Sequence, residues 1–324
     1  MRTAVKPSRL VIAVCLFVLP ACTRPGTRDG AAVEVPFAPY VDVTYPHPEL
    51  VTAAEHSPAR RFVLSFALAN QGRCEPAWGG FLPVDHPTLL EEIRALRNAG
   101  GSVTVATGGA LGSYLENVCA TADELAGAYR KALTVTGADE LDVDVETRIP
   151  VDRVADALSA LRSDPGIDIR ITVAVQSAER GLAPATVTLL SALAERGTEV
   201  TVNAMIMNFA VGGSWRESLI DAAETVTNQI SEVWPEGGRP GAYRRLGLTL
   251  MAGRNDTGVI TTLDDARAVT AYARAHRIGF LGFWSLARDN GGCPSSPTAR
   301  NDCSGIGQDA YAFTRSLAGE TTPR

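Results

Sequence analysis

Residues 138–146 read Ala138-Asp139-Glu140-Leu141-Asp142-Val143-Asp144-Val145-Glu146. Taken as a strand, the stretch alternates its side chains between two faces. Asp142, Asp144 and Glu146 then share one face, and Leu141, Val143 and Val145 share the other. Like charges on one face of a strand repel, and an apolar core gives them nothing in return. Folding alone explains the valine face and leaves the acidic face unexplained. The competing reading is a solvated acidic edge strand, but bracketing by β-branched residues argues for a strand buried on at least one side.

Working outward, β-prone and helical stretches alternate along the chain. Strands are expected over 37–43, 61–68, 102–107, 138–146, 167–175, 200–207, 246–251 and 278–284. Helical spacing of apolar residues is expected over 48–55, 88–99, 121–135, 154–161, 187–196, 215–233, 263–276 and 310–317. Eight strand–helix pairs predict a parallel sheet with helical crossovers, closed into a single (β/α)8 TIM barrel. No G-x-G-x-x-G fingerprint or Walker loop follows an early strand, which argues against a nucleotide-binding sheet. The 324-residue length suits one such barrel, and 45% hydrophobic with 20% charged residues describes a globular protein with a large core. A net charge of −6 gives no electrostatic reason to expect nucleic acid or an anionic membrane surface as partner.

The first residues read as a targeting segment. Arg2, Lys6 and Arg9 precede an apolar run over 10–19 that is too short to span a bilayer. Leu19-Pro20-Ala21-Cys22 follows and resembles a bacterial lipoprotein cleavage box, in which Cys22 would become the lipidated first residue. Ordinary signal cleavage after Ala21 is the rival. The expected organisation is therefore a signal peptide over 1–21, a flexible tether over 22–33 and a catalytic barrel over 34–320. An exported, lipid-anchored, monomeric protein with membrane attachment through Cys22 is the expectation. Setting aside Cys15 and Cys22 leaves four cysteines, and four in an exported chain suggest two disulfides. Cys293 and Cys303 lie in one Gly/Pro/Ser-rich loop and pair locally; Cys74 and Cys119 then pair by elimination. No His or Cys pair has zinc-ligand spacing, so no metal site is expected.

The acidic stretch matches the DxxDxDxE signature of family 18 glycoside hydrolases, through Asp139, Asp142, Asp144 and Glu146. Other strand ends carry the likeness further. Ala106-Thr107-Gly108-Gly109 resembles the family's SxGG, with Ala106 in place of Ser. The stretch 202–209, Val-Asn-Ala-Met-Ile-Met-Asn-Phe, resembles VNxMxMDY of bacterial chitinases of the chitinase D type, with Asn208 for Asp and Phe209 for Tyr. The stretch 250–256 resembles that branch's MIGxND, and 283–289 its FWSxxRD, which contains Trp284.

The resemblance implies hydrolysis of β-linked N-acetylglucosamine polymers with no metal or organic cofactor. Glu146 would protonate the leaving oxygen. Asp144 would orient the substrate's acetamido group, whose own oxygen is the nucleophile, and Asp142 would support Asp144. Asn208, Met205, Met207, Trp284, Gly108 and Gly109 would contact substrate. At the Met207 position other branches of the family hold a tyrosine that contacts the acetamido group; here that contact is missing. Three crowded acids buried in one barrel cannot all ionise near neutral pH, which helps keep Glu146 protonated. Asn208 removes a like charge beside Glu146, so the acid is expected to lose its proton at lower pH than in relatives with Asp there. Asn208 and Phe209 also favour a competing class, a non-catalytic saccharide-binding protein on the same barrel. Peptidoglycan glycan and the N-glycan core are the alternative polymers.

Overall fold

The computed structural model describes residue 1, residues 34–45 and residues 49–320. The expected signal peptide, tether and Cys22, and the start of the helix expected from residue 48, lie outside the described residues. Eight parallel strands form the barrel: β1 (Phe37–Asp42), β2 (Arg61–Asn70), β3 (Ser102–Gly108), β4 (Glu140–Val145), β5 (Asp168–Ala174), β6 (Thr201–Met205), β7 (Leu246–Met251) and β8 (Phe280–Trp284). Each pairs with its neighbours in chain order, and β1 pairs with both β8 and β2, which closes the ring. Eight helices return the chain over the outside: α1 (Leu50–His56), α2 (Pro87–Asn98), α3 (Ala122–Thr136), α4 (Val151–Arg162), α5 (Pro184–Glu195), α6 (Trp215–Val233), α7 (Leu263–His276) and α8 (Ala312–Ala318).

The period-2 alternation of every strand sorts residues between the helix layer and the barrel lumen. On the outer face Leu141 and Val143 of β4, Ile169, Ile171 and Val173 of β5, and Leu246, Leu248 and Leu250 of β7 pack into the main core with the helices. A second small cluster of Ala38, Tyr40, Val63, Ala106 and Phe280 fills the lumen, with Phe66 and Trp284 against it. The helices begin where local chemistry starts them. Thr121 and Glu124 form a capping box at α3, Thr262 and Asp265 another at α7, and proline occupies the first turn of α2 and α5.

Several elements were not expected from the sequence. β2 turns back into an antiparallel hairpin with Arg73–Trp78, which pairs in turn with Leu82–Pro83. A short helix at Leu115–Val118 follows β3, another at Gly238–Arg245 precedes β7, and a two-stranded ribbon, Gly253–Arg254 with Ile260–Thr261, follows it. Arg73–Trp78 carries Cys74, and Cys119 ends the short helix after β3.

Both expected disulfides are present, Cys74–Cys119 with a sequence separation of 45 and Cys293–Cys303 with a separation of 10. On a chain-entropy treatment the longer loop contributes about 4 kcal/mol and the shorter about 2.5–3 kcal/mol. Replacing Cys74 and Cys119 together by serine is therefore expected to lower the unfolding free energy more than the same change at Cys293 and Cys303. Guanidinium titration of the two double variants under non-reducing conditions reads this, and a reversed order would contradict it.

Candidate active site

The acidic face of β4 points into the lumen. Asp142 is fully buried and Asp144 is 3% exposed. Asp142 accepts hydrogen bonds from Tyr40 Oη on β1 at 2.5 Å and from Thr172 Oγ1 on β5 at 2.6 Å. Asn203 of β6 extends the network, donating to Tyr40 Oη at 3.0 Å and to Thr172 Oγ1 at 2.9 Å, while Thr249 of β7 donates to the Asn203 side-chain oxygen at 3.0 Å. Arg170 lies one layer down. Its guanidinium is bonded to Glu140 at 2.6 Å, stands 3.8 Å from Asp142 and sits 3.4 Å over the Phe280 ring.

These contacts are electrostatically mixed. Burial raises the Asp142 pKa, and Arg170, Thr172 and Tyr40 oppose that by favouring the carboxylate. Ala106 lies directly beside Asp142 on β3 and offers no hydroxyl. The hydroxyl that a serine there would supply comes instead from Thr172 on the opposite neighbouring strand.

Asp144 is in a different position. One of its oxygens, Oδ1, is buried with no hydrogen-bond partner. Its pKa is raised well above the usual carboxylate range, first by burial, then by Glu146 and by Asp142. Gly108 and Gly109 make this close packing possible. Gly108 has φ +84°, and a Cβ there would lie 1.9 Å from the Asp144 carbonyl oxygen. Gly109 N donates to that same carbonyl at 3.0 Å. The two glycines therefore seat the backbone of β4 against β3.

Glu146 lies one residue past the end of β4 and is exposed at the barrel mouth. This corrects the expectation of three buried acids: two are buried, and the third is presented to the groove. Tyr114, from the loop after β3, fixes its backbone. Glu146 N donates to Tyr114 Oη at 3.0 Å, and the same hydroxyl donates to Gly109 O at 2.6 Å. The Glu146 pKa is raised, first by partial desolvation and then by Asp256.

Around the acids runs a groove of about 670 Å³. Trp284 stacks on Phe66 with ring centroids 5.8 Å apart and planes 17° from parallel. Met205, Met207 and Met251 form an apolar cluster against Trp284. Phe81 and Leu111 line the groove as exposed apolar side chains, the latter 82% exposed. Flat apolar surfaces of this kind suit the C–H faces of sugar rings. Of the substrate contacts expected, Met205, Met207, Trp284 and Asn208 line the groove together with Asp144 and Glu146. Gly108 and Gly109 do not; they act behind Asp144.

Asn208 and Phe209 part company. Phe209 is buried and packs on Trp215, with centroids 4.9 Å apart. Asn208 has φ +59°, a left-handed conformation that asparagine tolerates better than most residues. Its side chain donates to Asp256 Oδ2 at 2.8 Å and accepts from Asp256 N at 2.8 Å. Asp256, to which Asn208 is bonded, is itself a like charge that raises the Glu146 pKa. Tyr40, Thr172, Asn203, Tyr114 and Asp256 were all missed in the sequence. For Asn203 and Asp256 signals existed, the VNxMxMDY-like and MIGxND-like stretches, but no role was assigned to either. Among the described residues, no three His, Cys, Asp or Glu side chains are grouped to hold a metal ion.

Such a site, on such a barrel, defines the class of barrel glycoside hydrolases. No family model matches the chain. It is 29% identical over 300 residues to the "Probable bifunctional chitinase/lysozyme" of Escherichia coli, a match covering 85% of this chain and 33% of that protein. It is 28% identical over 291 residues to "Endochitinase 11" of Metarhizium anisopliae, covering 82% of this chain and 55% of that one. The chain thus spans about a third and about half the length of these two relatives. Among solved structures, the catalytic domain of the hyperthermophilic chitinase from Pyrococcus furiosus superposes with a TM-score of 0.81 at 32% identity, over 90% of this chain and 100% of that domain. The chain belongs to the family 18 glycoside hydrolases, among the chitinases.

The raised Asp144 pKa has a consequence for stability. Below about pH 4 both folded and unfolded chains hold this proton. Above that the unfolded chain releases it and the folded chain keeps it, so the folded state binds more protons and stability falls as pH rises, until the folded pKa is passed. Asp144→Asn removes this contribution. The variant's unfolding free energy is expected to exceed that of the parent by a margin that grows as pH rises above about 4, by about 1.4 kcal/mol for each pH step over which only the unfolded chain has released the proton. Scanning calorimetry across pH measures it, and a margin that does not change with pH would contradict it.

Proposed function

We propose that the protein hydrolyses β-1,4-linked N-acetylglucosamine polymers, chitin and its oligomers, with retention of configuration through participation of the substrate's acetamido group. The observation that carries this reading is the unpartnered, buried oxygen of Asp144 beside the groove. Leaving a buried acceptor unmet costs about 1–3 kcal/mol, and an acetamido N–H delivered by the substrate meets it. Binding of plain glucose polymers would leave it unmet.

The chemistry follows from the two residues on one strand face. Glu146 O–H gives its proton to the glycosidic oxygen as the C1–O bond breaks. The acetamido carbonyl oxygen attacks C1 from the opposite face, and the positive charge spreads over an oxazolinium ring. Asp144, which gives up its proton to solvent as the substrate binds, accepts the acetamido N–H on its carboxylate and stabilises that charge. Glu146, now a carboxylate, takes a proton from a water that opens the ring at C1. Two inversions give retention, and both carboxyls return to their starting states. Asp142, bonded to Tyr40 and Thr172, holds the layer beneath Asp144 in place. Asp144 and Glu146 are two residues apart, roughly 6–7 Å along an extended chain, so one sugar's acetamido group and its leaving oxygen are addressed from a single strand.

Neither residue that favoured a binding-only protein disables this site: Phe209 is away from the groove and Asn208 is bonded to Asp256. The name of the E. coli relative joins chitinase and lysozyme, and peptidoglycan shares the N-acetylated β-1,4 linkage, so it is the control substrate. We further propose export with lipid on Cys22. The basic and apolar start of the chain and the two disulfides support it.

Glu146→Gln is expected to keep the fold and oligomer binding while turnover drops by about 10²–10⁴-fold, because the amide has no acidic proton to give. A reducing-end assay on chitin oligomers, with isothermal titration of the same oligomers, reads both. Unchanged turnover in the variant would overturn the assignment of Glu146. A parent protein that binds oligomers and cleaves neither these nor peptidoglycan would overturn the hydrolase reading.

A further inference from the structure

Four carboxyl groups line the groove, Asp42, Asp144, Glu146 and Asp256, and no lysine, arginine or histidine side chain among the described residues does. The groove is a ligand site on separate grounds, since the buried Asp144 presents to it an oxygen without a partner. The reaction uses two of the four acids and leaves Asp42 without a role. Asp42 ends β1 on the strand face that carries Ala38 and Tyr40, both of which lie in the lumen. It therefore stands over Tyr40 at the barrel mouth, as Asp144 stands over Asp142 on β4. Its Oδ1 accepts from Thr44 N at 2.9 Å and from Thr44 Oγ1 at 2.6 Å. These two bonds fix the carboxylate, and among the described residues none is made to Oδ2.

The arginines closest in sequence to groove residues are engaged elsewhere. Arg288 is buried and donates to the carbonyl oxygens of Ala252 at 2.8 Å and Arg254 at 2.6 Å. Arg254 donates to Gly258 O at 3.0 Å, and Arg300 is paired with Asp302 at 2.8 Å. Arg148, two residues past Glu146, is exposed outside the groove lining. The remaining walls, with Phe66, Leu68, Phe81, Leu111 and Trp284, are apolar. Low-dielectric walls focus the field of the charges between them. A carboxylate carried in on a sugar would lose water and meet only acids, with no counter-charge to offset the loss. A free ammonium would meet acceptors, Asp42 Oδ2 among them. An uncharged chain gains or loses little from the field.

We propose that the groove selects its glycan by charge, with Asp42 as the residue that reads it. Units bearing a carboxylate, such as the lactyl ether of peptidoglycan, are refused. Units bearing a free ammonium, as in partly deacetylated chitin, are admitted beside the acetylated unit that Asp144 holds. This rests on the reading of the groove as a site for N-acetylglucosamine polymers and narrows the polymers it takes. Asp42 is a binding residue and has no part in breaking the bond.

The test separates charge from shape. Four oligomers of equal length are compared: fully acetylated chitin, chitin with one unit deacetylated, a peptidoglycan glycan strand with free lactyl carboxylates, and the methyl ester of that strand. For each, kcat/KM is measured against salt concentration, and binding by isothermal titration. At low ionic strength the ester is expected to exceed the free acid by about fivefold or more. That gap is expected to close toward about 1 M salt, where the screening length is about 3 Å. The deacetylated oligomer is expected to weaken as salt rises, and the neutral one to stay level. In Asp42→Asn the ratio of the deacetylated oligomer to the free acid is expected to fall by about fivefold at low salt. Equal values for acid and ester in the parent would mean that shape decides, and would overturn the proposal. So would a ratio that Asp42→Asn leaves in place. A parent that cleaves none of the four but binds them in this order would support the charge selection and overturn the hydrolase reading instead.

Discussion

A buried carboxylate without partners is among the most costly features a fold can carry. This barrel holds two buried carboxyls on one strand, and the lumen is organised around that fact. Asp142 is satisfied by two hydroxyls from β1 and β5, and those hydroxyls are ordered in turn by Asn203 and Thr249 from β6 and β7. Five strands are thereby joined through side chains across the space they enclose. Asp144, directly above, is denied the same treatment and keeps a free oxygen. The lower acid is locked and the upper one is left for a ligand. The outermost, Glu146, is held by its backbone through Tyr114 and leaves its carboxyl free to exchange a proton.

The gradient of environment along a single strand, from sealed to buried and unpartnered to open, separates the roles of three acids that alternate at regular spacing. Asp142, Asp144 and Glu146 all have raised pKa values, with burial leading in each, but their charged neighbours differ: Asp142 is moderated by Arg170, Asp144 is pushed by Glu146, and Glu146 by Asp256. Such a site is expected to cost stability that apolar residues would have supplied, the usual relation between activity and stability.

Much of this was legible along the chain. Period-2 alternation in 138–146 exposed the acidic face, because an amphipathic pattern with charges where a core should be has few structural explanations. The eight repeats of strand and helix pointed to the barrel, and an expected export signal with four remaining cysteines pointed to the disulfides. What stayed hidden were contacts between distant residues. The donor to Asp142 sits 102 positions away at Tyr40, and the clasp of Asn208 on Asp256 spans 48. Ala106 looked like a lost hydroxyl, and a hydroxyl arrives from another strand, at Thr172. Local pattern shows which group is absent from a position and is silent about what replaces it. The hairpin after β2 escaped for a related reason: only pairing with β2 makes its residues a strand.

The central claim is that an acetamido group, rather than a directly attacking water, forms the new bond at C1 above Asp144. The anomeric configuration of the first product reports on it most directly. Proton NMR during the first minutes of chitin-oligomer cleavage, before mutarotation mixes the anomers, is expected to show the new reducing end as the β-anomer. An initial product in the α configuration would mean direct displacement by water and would contradict the assigned roles of Asp144 and Glu146.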